Sequence, residues 1–237
     1  MANYDVFGKF YDAIMGDRAK PTKCLLEFIR KANPQAKSVL ELGCGTGSVL
    51  KHLAKDHEVS GVDLSRTMLS IAKKKVPRAR LSRQDMVRFR LRETFDVVCC
   101  VYDSINHILS FDDWRRLFAN VDRHLSDAGT FIFDINTQKK LDRHTAEQPW
   151  VHSFGNNLLI MKVTATRNKA SNWNIRVFER TKGNRYLLHE ENIKEASFPV
   201  RNIVNALRAH FRRVEVIDPD RNRPSSNSER LYFVCTK

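Results

Sequence analysis

The segment Ser38–Leu50, SVLELGCGTGSVL, constrains the fold more than any other stretch of the chain. Val39 to Leu42 is an apolar run suited to a buried strand, and from Ser48 onward the pattern is that of a helix start. Between them Gly43, Gly45 and Gly47 put three positions without a Cβ into five residues. Glycine reaches backbone conformations closed to other residues and lets a backbone approach a ligand closely. A strand, a glycine turn and a helix therefore predict a ligand-binding loop inside an α/β domain.

The flanking pattern agrees. Helices are expected over 4–15 and 20–32, then strands at 38–42, 58–62, 79–82, 95–101 and 129–135, alternating with helices at 48–56, 65–75 and 111–125. Ser65 is a candidate N-cap for the second of these helices, and Ser110 or Asp112 for the third. Continuous apolar strands such as FDVVCCV imply a parallel sheet covered on both faces. After Asn136 the pattern changes. Long strand-like runs separated by turns, notably Lys182-Gly183-Asn184, read as antiparallel strands. They are expected to form an insertion over 148–198, a substrate cover or an interface, within a domain made of 1–147 and 199–237. A helix near 200–209 and strands near 211–217 and at RLYFVCT complete the chain. The expected class is a Rossmann-like, seven-stranded, mostly parallel α/β sheet with an antiparallel β insertion over the active-site end.

Composition sets outer limits. No apolar run approaches the roughly 20 residues of a membrane span, and the first residues lack a signal peptide's apolar segment, so a cytoplasmic protein is expected. Cys24, Cys44, Cys99, Cys100 and Cys235 show no C-x-x-C spacing and are expected to be reduced thiols that bind no metal. The net charge of +14 is uneven: Arg66 to Arg92 holds ten Lys/Arg and a single acid, Asp85. That segment is either a patch for nucleic acid or another anion, or a solvated helix face and edge strand. It carries no interleaved aromatics for base stacking.

Ligands of open α/β sheets sit at the carboxyl ends of the strands. Asp63 falls at the end of the second strand, where an acid can accept hydrogen bonds from both hydroxyls of a ribose, so the ligand is expected to contain a nucleoside. The dinucleotide fingerprint G-x-G-x-x-G/A is not matched, because Ser48 stands where its last glycine would be. Glu41, two residues before the first glycine, would repel a pyrophosphate and suits a ligand with a positive charge near the loop.

VLELGCGTG resembles the first motif of the class I S-adenosylmethionine-dependent methyltransferases, GVDLS their second-strand motif and QDM, residues 84–86, the acid that follows the third strand. FDVVCCVYDSINHI resembles their fourth-strand motif, and LFANVDRHLSDAGTFIFDIN the helix and fifth strand. FYDAIMGDR and ERLYFV resemble a subgroup of small bacterial enzymes that includes the aminosugar N-methyltransferases. The resemblance implies S-adenosyl-L-methionine as cofactor. It places backbone at Gly43, Cys44 and Gly45 against the methionine part, with Glu41 nearby and Asp63 on the ribose. Leu64 and Met68 would sandwich the adenine, although Met68 would serve equally as core. Asp85 would accept from the adenine amino group unless it caps a turn, and the Met86 amide would donate to a ring nitrogen. Tyr11 and Arg18 are candidates for the methionine carboxylate, and Val101 opens the loop that borders the methyl.

Methyl transfer is an in-line displacement in which positioning does most of the work. Tyr102, Asp103, Asn106 and His107 follow the fourth strand. His107 is either a general base or a packed histidine at a helix start; Asp103 either orients the acceptor or caps the next turn. Asn136 ends the fifth strand at the same side of the sheet, and His189, Glu190 and Glu191 lie on the insertion as solvated strand positions or acceptor contacts. The loop lacks the N/D-P-P-Y/F/W pattern of nucleic-acid amino methyltransferases and the Pro-Cys of cytosine-C5 enzymes. The expected activity is methyl transfer to N or O of a small-molecule acceptor by a monomer or homodimer, with an RNA or other macromolecule methyltransferase using the basic 66–92 face as the alternative.

Overall fold

A computed structural model describes residues 4–16, 19–168, 170–221 and 223–237. The N-terminal segment is not one helix. A 3-10 turn at Phe7–Lys9 leads into α1 (Tyr11–Met15), and Gly16, at φ 66°, ends it before α2 (Ala19–Ala32). The alternation then runs β1 (Ser38–Leu42), α3 (Ser48–Leu53), β2 (Glu58–Asp63), α4 (Arg66–Lys75), β3 (Arg80–Arg83), β4 (Phe95–Cys100), α5 (Phe111–Arg123) and β5 (Leu125–Asn136). Ser65 caps α4 by accepting from Met68 N, whereas Ser110 stands at the start of α5 without a side-chain bond. A helix not expected from the sequence, α6 (Gln138–Ala146), follows β5 and is capped by Thr137.

β6 (Trp150–Phe154), β7 (Asn157–Ala165), β8 (Ser171–Arg180) and β9 (Tyr186–Glu195) make a separate four-stranded antiparallel sheet. The chain then returns through α7 (Val200–Leu207) to β10 (Arg213–Ile217) and β11 (Arg230–Thr236). The main sheet has seven strands in the order β10-β11-β5-β4-β1-β2-β3, with β1 to β5 parallel and β11 antiparallel to β5 and β10. β3 is at the edge, as expected.

Period-two alternation sorts the strands between two cores. Leu40, Val98, Phe131, Phe133 and Phe233 face α5 and α7, where Trp114, Phe118 and Leu207 are fully buried. Val39, Val97, Cys99, Ile132 and Val234 face α2 and α3, packing on Leu25, Ile29 and Leu53. Cys99 and Cys100 thus point to opposite faces within β4. A third cluster is the one that matters for function. Phe7, Phe10 and Ile14 of the N-terminal segment pack on Leu159, Ile175, Val177 and Ile193 of the small sheet. The N-terminal segment therefore lies between the small sheet and the carboxyl ends of the main strands.

Candidate active site

The glycine loop follows β1 and turns back on β2: Gly43 N and Cys44 N both donate to Val62 O, at 2.8 and 3.1 Å. Gly43 and Gly45 sit at φ 70° and 51°, the left-handed region where a side chain is strained. A Cβ on Gly43 would come within 2.9 Å of Ser104 Cβ and 3.3 Å of Met86 Cε, both at the wall of a cleft. That cleft is lined by loop backbone at Gly43 and Gly45, by Asp63, Leu64 and Met68 after β2, and by Gln84 and Met86 after β3. Tyr102, Ser104 and His107 border it after β4, and Tyr4 and Tyr11 close it from the N-terminal segment.

Asp63 ties the loop to the second strand. Its Oδ2 accepts from Gly45 N and its Oδ1 from Ser65 N, each at 2.8 Å. Burial pushes its carboxyl up, against these backbone donors. Glu41 lies beneath the loop, 3% exposed, and its Oε2 has no hydrogen-bond partner among the described residues. Burial raises the Glu41 carboxyl well above its ordinary range, and Asp63 adds to the rise. The N-terminal segment is pinned to the same loop: Asp12 Oδ1 accepts from Thr46 Oγ1 at 2.6 Å and Ser48 Oγ at 3.2 Å, and Asp12 Oδ2 pairs with Lys75 Nζ at 2.7 Å. Asp5 accepts from Ser65 Oγ at 2.6 Å.

After β4, Tyr102 and Asp103 are consecutive non-glycine residues at φ 58° and 55°. Such strain persists where the surroundings over-determine it, and it clusters at functional sites. Here the surroundings are Arg230, whose guanidinium donates to Asp103 Oδ1 at 2.6 Å, to Asn136 Oδ1 at 3.1 Å and to the fully buried Asp134. His107 Nδ1 lies 3.3 Å from Lys194 O and Nε2 lies 3.0 Å from Tyr4 Oη. An Nδ1–H tautomer satisfies both, with the tyrosine donating to Nε2. Burial pushes the His107 pKa down.

A second cavity, about 250 Å³, opens on the other side of Tyr4, Tyr11 and Tyr102, which line both spaces. Its floor is Asp103, Asn136, Glu195 and Arg230; its apolar walls include Met161, Trp173 and Ile193 of the small sheet.

The structure gathers most of the expected cofactor residues in one cleft and moves others out of it. Cys44 does not line the cleft; its thiol is buried in the core, beside the position a Cβ on Gly61 would take. The Val101 side chain is also core, at 5% exposed, while its carbonyl accepts from Ser104 Oγ. Asp85 does not line the cleft, because its Oδ1 caps a turn by accepting from Val87 N at 2.8 Å; Gln84 lines it instead. Asn106 is a buried tie, donating to Asn136 O and Ala196 O. On the small sheet His189 pairs with Glu179, Glu190 with Arg176, and Glu191 accepts from Phe7 N, so none of the three lines the second cavity. Arg18 lies outside the described residues. Tyr4, Gln84, Ser104, Glu195 and Arg230 are not among the residues the sequence reading assigns to the site, although Gln84, Ser104 and Arg230 lie within its motifs QDM, FDVVCCVYDSINHI and ERLYFV.

Part of the basic segment makes contacts within the chain. Lys75 holds Asp12, Arg83 donates to Leu64 O at 2.9 Å, and Arg80 pairs with Glu93. Arg88, Arg90 and Arg92 line an open groove with Arg116 and Arg123 of α5, which shares no residue with the cleft or the second cavity.

Comparisons with known proteins fit this geometry. A family model described as a methyltransferase domain matches residues 39–129. A protein of Geobacillus sp. (strain WCH70), described as a methyltransferase, is 28% identical over 247 residues, covering 99% of both chains. The dTDP-3-amino-3,4,6-trideoxy-alpha-D-glucopyranose N,N-dimethyltransferase of Streptomyces venezuelae is 30% identical over 131 residues, 55% of each chain. The crystal structure of an S-adenosylmethionine-dependent methyltransferase from Clostridium acetobutylicum superposes with a TM-score of 0.85 at 26% identity, covering 98% of both chains. Sheet order, glycine loop and strand-end acid together define the class I methyltransferase fold. The chain belongs to the S-adenosylmethionine-dependent methyltransferases, and S-adenosyl-L-methionine is its cofactor. Its residues fit that ligand: a backbone cradle without side chains at Gly43 and Gly45, an acceptor at Asp63, apolar walls at Leu64 and Met68, and the orphaned Glu41 Oε2 beneath. Among the described residues no helix is long and apolar enough to cross a membrane.

Proposed function

We propose that the chain methylates an amine nitrogen of a small molecule held in the 250 Å³ cavity under the small sheet. The observation that carries this reading is the position and lining of that cavity. It meets the cofactor cleft across Tyr4, Tyr11 and Tyr102, and its floor presents the carboxyls of Asp103 and Glu195. Asp103 is paired with Arg230, whereas Glu195 forms no ion pair among the described residues, and a buried carboxyl left in this way favours an amine acceptor over a neutral alcohol. The relatives named for N,N-dimethylation of amino sugars on a dTDP carrier support the same acceptor class. The small sheet, residues 150–195, acts as the acceptor's cover, supplying Trp150, Met161, Trp173 and Ile175.

The cofactor supplies a methyl carbon activated by a sulfonium. The chain does the rest. Gly43 and Gly45 present backbone to the ligand, Asp63 accepts from its ribose, and the small sheet excludes water. Tyr4, Tyr11 and Tyr102 align the acceptor lone pair, and alignment alone is worth effective molarities of roughly 10⁵–10⁸ M. With Tyr4 bonded to His107 the cleft encloses about 70 Å³.

The test is transfer of label from methyl-labelled S-adenosylmethionine to matched pairs of amino and hydroxy sugars, nucleotide-linked and free. Label in the amine of each pair is expected. Label in the hydroxy member only, or in RNA only, would refute the reading.

A further inference from the structure

The acceptor cavity contains one carboxyl that has no ion-pair partner among the described residues. Glu195 ends β9, is 5% exposed, and forms no ion pair among the described residues. Its Oε2 accepts a single hydrogen bond, from Asn136 Nδ2 at 3.2 Å, and its other oxygen has no partner among the described residues. The other acid lining the cavity differs: Asp103 shares Arg230 with the fully buried Asp134.

Glu195 is also held more firmly than one hydrogen bond suggests. Asn136, its donor, is locked by Asn106, which accepts from Asn136 N at 2.9 Å and donates to Asn136 O at 3.0 Å. Asn106 also donates to Ala196 O, and Ala196 N donates to Asn106 O, both at 2.8 Å. The residue after Glu195 is thus buttoned to the turn carrying Tyr102, Asp103 and His107. A carboxylate fixed to that turn, inside the acceptor cavity, is placed to exchange a proton with the acceptor.

Resting on the amine reading above, we propose that Glu195 is the group that takes the proton from the acceptor's ammonium, and that Asn106 and Asn136 are the residues that position it. The ammonium N–H bond breaks and its proton passes to a Glu195 oxygen, freeing the nitrogen lone pair. The N–C bond then forms as the C–S bond of the cofactor breaks, and that bond's electron pair leaves with the sulfur. Glu195 returns the proton to water before the next turnover. Charge balances at each step, and no further reactant is required.

The charged and titratable groups facing Glu195 are consistent with this. Asp103 faces it from the turn after β4, Lys140 and His144 from α6, Tyr4 and Tyr11 from the N-terminal segment, and Arg230, already paired, from β11. Burial, with Asp103 adding to it, pushes the Glu195 carboxyl up to about 8. A base that titrates near the operating pH is the most effective one.

Two measurements decide the matter. In the free protein labelled with ¹³C at glutamate side-chain carboxyls, one signal is expected to titrate near pH 8 and to vanish in Glu195→Gln. If the signal that vanishes in Glu195→Gln titrates below pH 6, the proposal is overturned while the amine reading stands. With an amino sugar that the wild type methylates, kcat/KM is expected to rise through pH 8. Glu195→Gln, which keeps an acceptor for Asn136, is expected to lose that limb and about 10²–10⁴-fold in kcat. Its affinity for S-adenosylhomocysteine is expected to be unchanged. A loss under threefold with the same profile would overturn the assignment. If the wild type methylates no amine, this proposal and the amine reading fall together.

Discussion

Alanine at three glycines separates two physical reasons for a glycine in this fold. At Gly45 the backbone is left-handed, at φ 51°, but a Cβ would meet nothing closer than Met68 Sδ at 4.0 Å. Gly61 is not in that region, yet a Cβ would come within 2.7 Å of Cys44 Sγ, 2.9 Å of Leu50 Cδ1 and 3.0 Å of Leu81 Cδ2. Gly43 has both problems: φ 70°, and Ser104 Cβ at 2.9 Å. Ser104 Cβ is attached directly to backbone and cannot swing away as the end of a long side chain can. The left-handed region costs an L-residue about 1–2 kcal/mol, and overpacking costs about 1–3 kcal/mol. Gly45→Ala should therefore lose about 1–2 kcal/mol, Gly61→Ala about 1–3, and Gly43→Ala the sum, about 2–5 kcal/mol. For a chain of this size each kcal/mol lowers the melting temperature by about 2–4 °C, so Gly43→Ala should melt about 4–20 °C below wild type. The assay is thermal unfolding of the free protein, with calorimetric titration of S-adenosylhomocysteine in parallel. Gly61→Ala is the internal check, since its φ is ordinary and its cost is steric alone. If Gly43→Ala melted no lower than Gly45→Ala, the clash with Ser104 would be absent and the packing of the loop against the turn after β4 would be wrong.

Asp63→Ala should weaken S-adenosylhomocysteine binding by about 1–3 kcal/mol, the cost of leaving buried partners unpaired. It should also destabilise the free protein, because Gly45 N and Ser65 N lose their acceptor; unchanged affinity by calorimetry would contradict the ribose assignment. Asp12→Ala should loosen the N-terminal segment, with faster hydrogen exchange over residues 7–15 and weaker cofactor binding; unchanged exchange would refute the pin on Thr46 and Ser48. The Asp12 carboxyl lies below its ordinary range, held there against burial by bonds from Lys75, Thr46 and Ser48. Its contribution is therefore present above the unfolded value near pH 4 and is lost as pH falls through the lower folded value, so that segment should loosen first in acid. Replacing Arg88, Arg90 and Arg92 together by Ser should leave methyl transfer to small amines within twofold, since their groove shares no residue with either cavity. A tenfold loss would revive the macromolecular acceptor.

The main sheet was legible because its signals are local. Apolar strands, period-two alternation and the spacing of Gly43, Gly45 and Asp63 are written within a few residues of one another. They forced the order of elements, the cradle and the strand-end acid. The antiparallel runs after Trp150 were equally plain, since consecutive strands joined by short turns pair with each other. The active site was legible only where it sits on those strand ends. Asp85 and Gln84 are adjacent, and sequence favoured the acid; the turn to Val87 consumed it, and Gln84 lines the cleft although its own side-chain amide is held by Ser82 and Arg90. β9 makes the same point over a longer distance. Alternation puts His189, Glu191, Ile193 and Glu195 on one face, but not at one place. His189 meets Glu179, Glu191 meets the Phe7 amide, Ile193 enters the third core, and Glu195 reaches the acceptor cavity. Period two decides which face a side chain takes. Which point along that face lies over the strand ends is set by contacts among the N-terminal segment, the small sheet and Asn106, residues about 90 to 190 positions apart in sequence. The sequence by itself thus determined the fold class, the cofactor loop and its acid, because each is a short-range pattern. The tertiary structure decided how the small sheet meets the N-terminal segment, the second cavity and the place of Glu195 in it, because each is assembled from segments with no pattern linking them until they pack.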